Sequence, residues 1–237
     1  MGELIFIEQI KKTKLSLINL CTFKGQKVIS KNKTLFPFTN NLNAELAIHT
    51  KLAKEKLCPE IIDFDKKKNL IIYEYLEGTN DISNFDEKFL SKLGRTLKRF
   101  HQASIQDAKI STFKEKIGMY KEILINSSDA SVKAGFELFD RLYEDSEDFV
   151  FCHNDINASN IFYNNDIKLI DWEYAGFNLP IYDIASVSSV FNLDDYQLSI
   201  LMDSYNSNLD ISSIKNFELL NSMVEYIWLQ ALKISDS

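Results

Sequence analysis

The sequence predicts an α+β fold in two lobes: a small antiparallel sheet with one inserted helix, then a larger and mostly helical part. Three observations predict it. The first 78 residues alternate short β-rich runs with turn residues. From Asp86 onward apolar residues recur at helical spacing. A length of 237 residues suits one large domain or two small lobes.

In the first part, SLINLCTF and QKVIS read as strands joined through Lys24 and Gly25 as a hairpin turn. NAELAIHTKLAKEKL, residues 43–57, brings Leu46, Ile48, Leu52 and Ala53 near helical spacing and stops before Pro59. EIIDFD and NLIIYEYLEG are two further strands, with KKK between them and Gly78 ending the pattern. The expected division is residues 1–78 and 79–237, with one crossing between Gly78 and Asn84 and a cleft between the lobes. In the second part, FDEKFLSKLGRTLKRFHQ sets Phe89, Leu93, Leu97 and Phe100 along one stripe. Further helices are expected at about 112–126, 131–145, 181–191, 195–206 and 212–234. Among them NIFY and IKLID form a short hairpin turned at Asn164 and Asn165.

Composition narrows the function. Hydrophobic residues make up 45% and charged residues 26%, as in an ordinary globular protein. The apolar runs fall far short of the roughly 20 residues needed to span a bilayer, and no basic segment precedes the first of them. A cytoplasmic protein without a membrane partner is therefore expected. The net charge of −7 argues against nucleic acid as a partner and is compatible with a small cationic substrate. Cys21, Cys58 and Cys152 lack metal-binding spacing and are expected to be reduced packing residues. His49 and His101 sit in helix patterns, so no zinc site is expected.

The chemistry gathers in FCHNDINASNIFYNNDIKLIDWEYAG, residues 151–176. Phosphoryl transfer from a nucleotide needs a carboxylate to orient the attacking hydroxyl and oxygen ligands to hold Mg²⁺ on the phosphates. Asp155 follows the apolar FVFC and can accept the hydroxyl proton. Asn160 offers an amide oxygen to a metal, and the hairpin returns Asp171 beside it as a second ligand. Mg²⁺ favours such hard oxygens and retains waters, so one Asp, one Asn and phosphates suffice.

HNDINASN followed by IDWEYAG resembles the catalytic and metal loops of kinase-like small-molecule phosphotransferases, and within them the bacterial choline kinases. Aminoglycoside phosphotransferases and thiamine kinases are relatives of that group. The resemblance is specific over residues 151–185 and looser over Glu45, YEYLEG and LGRTLKRFH. It implies a protein-kinase-like fold, ATP as co-substrate, Mg²⁺, a nucleotide-binding lobe at 1–78, and a catalytic and acceptor lobe at 79–237. It implies that His153 braces the loop rather than acting as base. It also implies that Asp183 hydrogen-bonds the catalytic loop, where helix capping is the other reading.

No GxGxxG or P-loop motif is present, so backbone amides of residues 12–18 are expected to cover the phosphates. Lys31 is the candidate phosphate contact, with Glu45 as its ion-pair partner and Lys33 as the alternative. Glu74, Tyr75 and Leu76 would supply the backbone that pairs with adenine. For the acceptor, Tyr174 would wall a quaternary ammonium. Tyr226 and Trp228 lie on a segment resembling the aromatic helix of the choline pocket, or they pack the core. Glu173 adds negative charge or helps with metal. Choline is the favoured acceptor. Thiamine, ethanolamine and aminoglycosides remain open, as do an inactive nucleotide-binding protein and a homodimer.

Overall fold

A computed structural model describes residues 3–36, 38–78, 85–105, 110–144, 148–206 and 210–235. Contacts divide the chain into two compact units. One comprises Met1–Asp81, Ile105–Lys109 and Ser159–Glu173, and the other takes the remainder. Where the sequence suggests one crossing, the chain thus passes between units several times, because Ser159–Glu173 packs with the N-terminal sheet. Beyond Gly78, the expected crossing lies outside the described residues.

The first unit is built on a five-stranded antiparallel sheet in the order β1-β2-β3-β5-β4. Its strands are β1 (Leu4–Lys12), β2 (Ser16–Phe23), β3 (Gln26–Lys33), β4 (Ile61–Asp65) and β5 (Leu70–Glu74). Lys24 and Gly25, at φ 49° and 80°, form the two-residue turn of β2 and β3. Positive φ at both turn positions matches the twist of a tight hairpin. Helix α1 (Leu42–Lys54) interrupts the strands and is capped by Asn41, which accepts the Ala44 amide at 3.0 Å. Alternation along β3 and β5 fills both faces of the sheet. Ile29, Ile71 and Tyr73 pack with Leu42 and Leu46 of α1, whereas Val28, Leu70 and Ile72 pack with Cys21 and Phe23.

Strand β1 has no counterpart in the sequence reading. It is an edge strand with Ile5, Phe6, Ile7 and Ile10 exposed and two register irregularities, so no buried face stamps a two-residue period on it.

The same unit holds the hairpin of β7 (Ile161–Asn164) and β8 (Asp166–Leu169), turned at Asn165 with φ 59°. The Leu169 amide donates to Leu57 O at 2.8 Å. Gly78, at φ 141°, lies against the hairpin so closely that a Cβ would stand 2.9 Å from that of Asn164.

The second unit contains α2 (Glu87–His101), α3 (Phe113–Ile123), α4 (Ala130–Tyr143), α5 (Pro180–Phe191), α6 (Asp195–Tyr205) and α7 (Ile211–Ser235). Strands β6 (Val150–Cys152) and β9 (Gly176–Asn178) pair antiparallel within it. All five predicted helices after α2 are present with ends shifted by at most three residues. The α2 stripe of Phe89, Leu93, Leu97 and Phe100 is at most 1% exposed, and each side chain contributes about 1.5–3 kcal/mol by burial. Gly94 admits α6, since a Cβ there would meet Leu201 O at 2.5 Å. No described helix is long and apolar enough to cross a membrane.

Candidate phosphotransferase site

The sequence-predicted residues fall into two groups, one in each unit. In the first unit, Lys31 and Lys33 project from one face of β3 because they are two residues apart on a strand. Both are buried, at 5% and 6% exposure. Lys31 Nζ lies 2.5 Å from Asp171 Oδ1 and 3.2 Å from Glu173 Oε2. Lys33 bonds Glu45 and stands 3.7 Å from Glu173 Oε2. The expected Lys31–Glu45 pair is therefore corrected: Glu45, in the first turn of α1, pairs with Lys33, and Lys31 reaches the metal-loop carboxylates. Tyr73 Oη completes the Glu45 environment at 3.0 Å.

Two ammonium groups thus face three carboxylates. Burial alone would raise the Glu45 carboxyl, but Lys33 and Lys31 outweigh it and hold the group below its ordinary range. Burial, reinforced by Asp171, raises Glu173 despite the two lysines. For Lys31 burial works downward, yet Asp171, Glu45 and Glu173 together drive its pKa upward. The ammonium is held firmly protonated.

The metal-loop backbone is fixed as well. Ile170 N donates to Asn160 O at 3.0 Å, joining the segments that carry Asn160 and Asp171. Asn40, which the sequence reading missed, donates through Nδ2 to Trp172 O at 3.1 Å and through N to Glu173 O at 2.8 Å. Asp171 itself takes the left-handed conformation at φ 69°. Asn160 and Asp171 offer the hard oxygen donors Mg²⁺ favours, and a cation already sits on Asp171 in the form of the Lys31 ammonium. The residues fit a magnesium ion, which would supply positive charge to offset that of nucleotide phosphates.

The expected phosphate cover at residues 12–18 is a closed turn. The Leu15 and Ser16 amides donate to Thr13 Oγ1 at 3.1 and 3.0 Å, so those two donors turn inward. Of the expected adenine contacts, Glu74 uses its amide on Glu60 O at 2.9 Å and its carboxylate on Lys168. Tyr75 is exposed beneath the Lys27 ammonium, and Leu76 is half-buried.

In the second unit, the catalytic loop follows β6. Asp183, fully buried on the first turn of α5, accepts the His153 amide at 2.7 Å and the Asn154 amide at 2.9 Å. Leu179, not Asp183, is the N-cap residue of α5, so of the two readings the loop-holding one describes the structure. His101 Nε2 lies 3.1 Å from Asp183 Oδ2, and its Nδ1 lies 2.8 Å from Tyr205 Oη. His101, Asp183 and Cys152 cluster like metal ligands, yet His101 and Asp183 are engaged in these bonds and Cys152 Sγ donates to Asn178 O. His153 is 0% exposed and its Nδ1 accepts the Asp155 amide at 3.3 Å, a bracing position. Asn154 occupies the left-handed region at φ 63°, which an asparagine tolerates. Asp155 is half-buried, and its carboxylate adds to burial in raising the Tyr120 phenol.

Tyr174 and Trp228 meet edge to face, with centroids 6.3 Å apart and planes at 87°. Trp228 Nε1 donates to Tyr174 Oη at 3.0 Å. Tyr226 is not part of this corner: its hydroxyl donates to Asp129 Oδ2 at 2.6 Å on the exposed side of α7. Residues two apart on a helix are separated by about 200°, so Tyr226 and Trp228 cannot share a face.

This folding pattern recurs in solved kinases. The structure of choline kinase LicA from Streptococcus pneumoniae superposes with a TM-score of 0.76 at 19% identity, covering 99% of this chain and 88% of that one. An ethanolamine kinase from Plasmodium vivax gives 0.74 at 19% identity, covering 99% and 77%. These likenesses define the class as protein-kinase-like in fold. The profile of the Phosphotransferase enzyme family matches residues 33–210, and the chain belongs to that family. Among curated sequences, Protein LicA of Haemophilus influenzae is 26% identical over 152 residues, covering 60% of this chain and 45% of that protein. A second LicA sequence from that species is covered to 57%, so the chain spans about half the length of these relatives.

Proposed function

We propose that the protein is a choline kinase, transferring the γ-phosphoryl group of Mg·ATP to the choline hydroxyl and releasing phosphocholine and ADP. The observation that carries this reading is the Tyr174–Trp228 corner, tied to the catalytic loop because Asn154 Nδ2 donates to Tyr174 O at 3.1 Å. A quaternary ammonium has no hydrogen to donate and is best held against aromatic faces. The residue after Asn154 is Asp155, which suits a general base for an alcohol attached to that cation. The family membership and the LicA relatives support the same reading.

Asp155 orients the hydroxyl and accepts its proton while the oxygen bonds the γ-phosphorus. The bond from that phosphorus to the bridging oxygen breaks, and its electron pair leaves with ADP. His153 and Asp183 keep the loop in place during the transfer. Asn160 and Asp171 would hold magnesium on the nucleotide, and Lys31 would turn from Asp171 to the phosphates. Lys33 and Glu45 set the floor on which Lys31 stands.

The test is an ADP-release assay with Mg·ATP and choline, ethanolamine, thiamine or kanamycin. The highest kcat/KM is expected with choline. A higher value for another acceptor overturns the choice of choline, and nucleotide binding without ADP release for any of them overturns the enzymatic reading.

A further inference from the structure

Lys116 lies on α3 at 3% exposure, outside every motif that the sequence singles out. A buried ammonium must find acceptors for its donors, and this one finds two backbone carbonyls. Lys116 Nζ donates to Tyr174 O at 2.6 Å and to Ala175 O at 3.2 Å. Tyr174 ends the short 3₁₀ turn Trp172–Tyr174, and Ala175 links it to the start of β9.

The Tyr174 carbonyl is shared. Asn154 Nδ2 also donates to it at 3.1 Å, and reaches Gly176 O at 3.4 Å. Asn154 Oδ1 in turn accepts Asn178 Nδ2 at 2.7 Å. A lysine from α3 and an asparagine next to Asp155 therefore grip one peptide oxygen, while Trp228 grips the phenol end of the same residue. Tyr120 lies one turn along α3 from Lys116, and its phenol is raised first by burial and then by the Asp155 carboxylate, which also raises Tyr182. The inward face of α3 thus brings a positive charge toward the loop that carries Asp155.

We propose that Lys116 is a positioning residue for the acceptor: its ammonium fixes the Tyr174–Ala175 backbone to the Asp155 loop and so sets the spacing between aromatic wall and reacting hydroxyl. The proposal rests on the reading of Tyr174 as an acceptor wall. A neutral side chain would remove the ammonium donations to the Tyr174 and Ala175 carbonyls, and the Tyr174–Trp228 corner would drift from the hydroxyl site.

The experiment compares Lys116→Met, which keeps chain length and loses the donors, with Lys121→Met, an exposed lysine of the same helix paired with Asp140. Two readouts are taken at matched stability. The first is acrylamide quenching of tryptophan fluorescence without acceptor; of the two tryptophans Trp172 is fully buried, so changes report Trp228. The second is KM for choline and for ATP. Lys116→Met is expected to raise the quenching constant about twofold and the choline KM about tenfold, with the ATP KM as in Lys121→Met. Quenching and choline KM equal to the control overturn the proposal, as does a parallel rise in both KM values, which marks a general structural role. If Lys116→Met fails to fold, Lys116→Gln, which keeps a polar donor without the charge, is judged by the same criteria. If the wild-type protein phosphorylates none of the acceptors, the failure belongs to the proposed function and quenching alone decides Lys116.

Discussion

In the unit that carries Asn160 and Asp171, position is set by charge: Lys31 and Lys33 hold the buried Glu45 and Glu173 and the half-buried Asp171 in one cluster. In the unit that carries Asp155, position is set by single charged groups spent on backbone. Asp183 takes two amides of the catalytic loop, and Lys116 gives to two carbonyls after the metal loop. The difference is one of adjustability. A network of opposite charges can exchange one cation for another, which is what the proposed nucleotide and metal role would require of it. Amides and carbonyls bound to buried ions have a single good arrangement, which suits the proposed roles of Asp155 and of the Tyr174–Trp228 corner.

The comparison is sharpened most by the two lysines. Lys33→Met strands Glu45, which is 0% exposed, and should cost about 3–5 kcal/mol of stability. Lys31→Met strands Asp171, whose side chain is 24% exposed and can take up water or a metal. It should keep most of the stability and lose Mg·ATP affinity. Denaturant titration of both variants beside nucleotide titration checks this, and equal destabilisation would show that the cluster does not divide between a structural and an exchangeable lysine.

His49 tests the charged unit by pH. Its ring is fully buried against Tyr73, and burial, only partly offset by Glu45, pushes its pKa down to about 4. The unfolded chain binds a proton near pH 6.5 and the folded one does not, so stability falls as pH drops from 6.5 toward 4, by up to about 3 kcal/mol. His49→Phe should flatten that slope in chemical denaturation from pH 7 to pH 4.5. An unchanged slope would place the acid sensitivity elsewhere.

The smallest expected effect concerns the acceptor corner. Trp228→Phe keeps an aromatic face and Trp228→Leu keeps only apolar volume. Choline affinity should fall in the order Trp, Phe, Leu over roughly 2- to 30-fold, with nucleotide affinity steady. Equal values for Phe and Leu in folded proteins would make Trp228 a packing residue.

The sequence announced what depends on local spacing. The Phe89, Leu93, Leu97, Phe100 stripe became α2, Lys24 and Gly25 turned the first predicted hairpin, and NIFY and IKLID became the hairpin that lies between Asn160 and Asp171. What it withheld was partner choice between segments far apart in the chain. Lys31 and Lys33 share a strand face, so periodicity cannot say which of them meets Glu45. Asn40 and Lys116 act on carbonyls more than fifty residues away, and nothing in TNNLN or FKEKIG signals it. Tyr226 is a different miss: helix geometry alone separates it from Trp228.

The central claim is that this chain moves a phosphoryl group to an alcohol oriented by Asp155. It is tested most directly by following phosphocholine formation from choline and Mg·ATP by phosphorus NMR, for the wild-type protein and for folded Asp155→Asn, with nucleotide affinity measured on both. The account predicts steady product from the wild type and a rate at least about a hundredfold lower in Asp155→Asn at unchanged nucleotide affinity. Wild-type turnover in Asp155→Asn would contradict it.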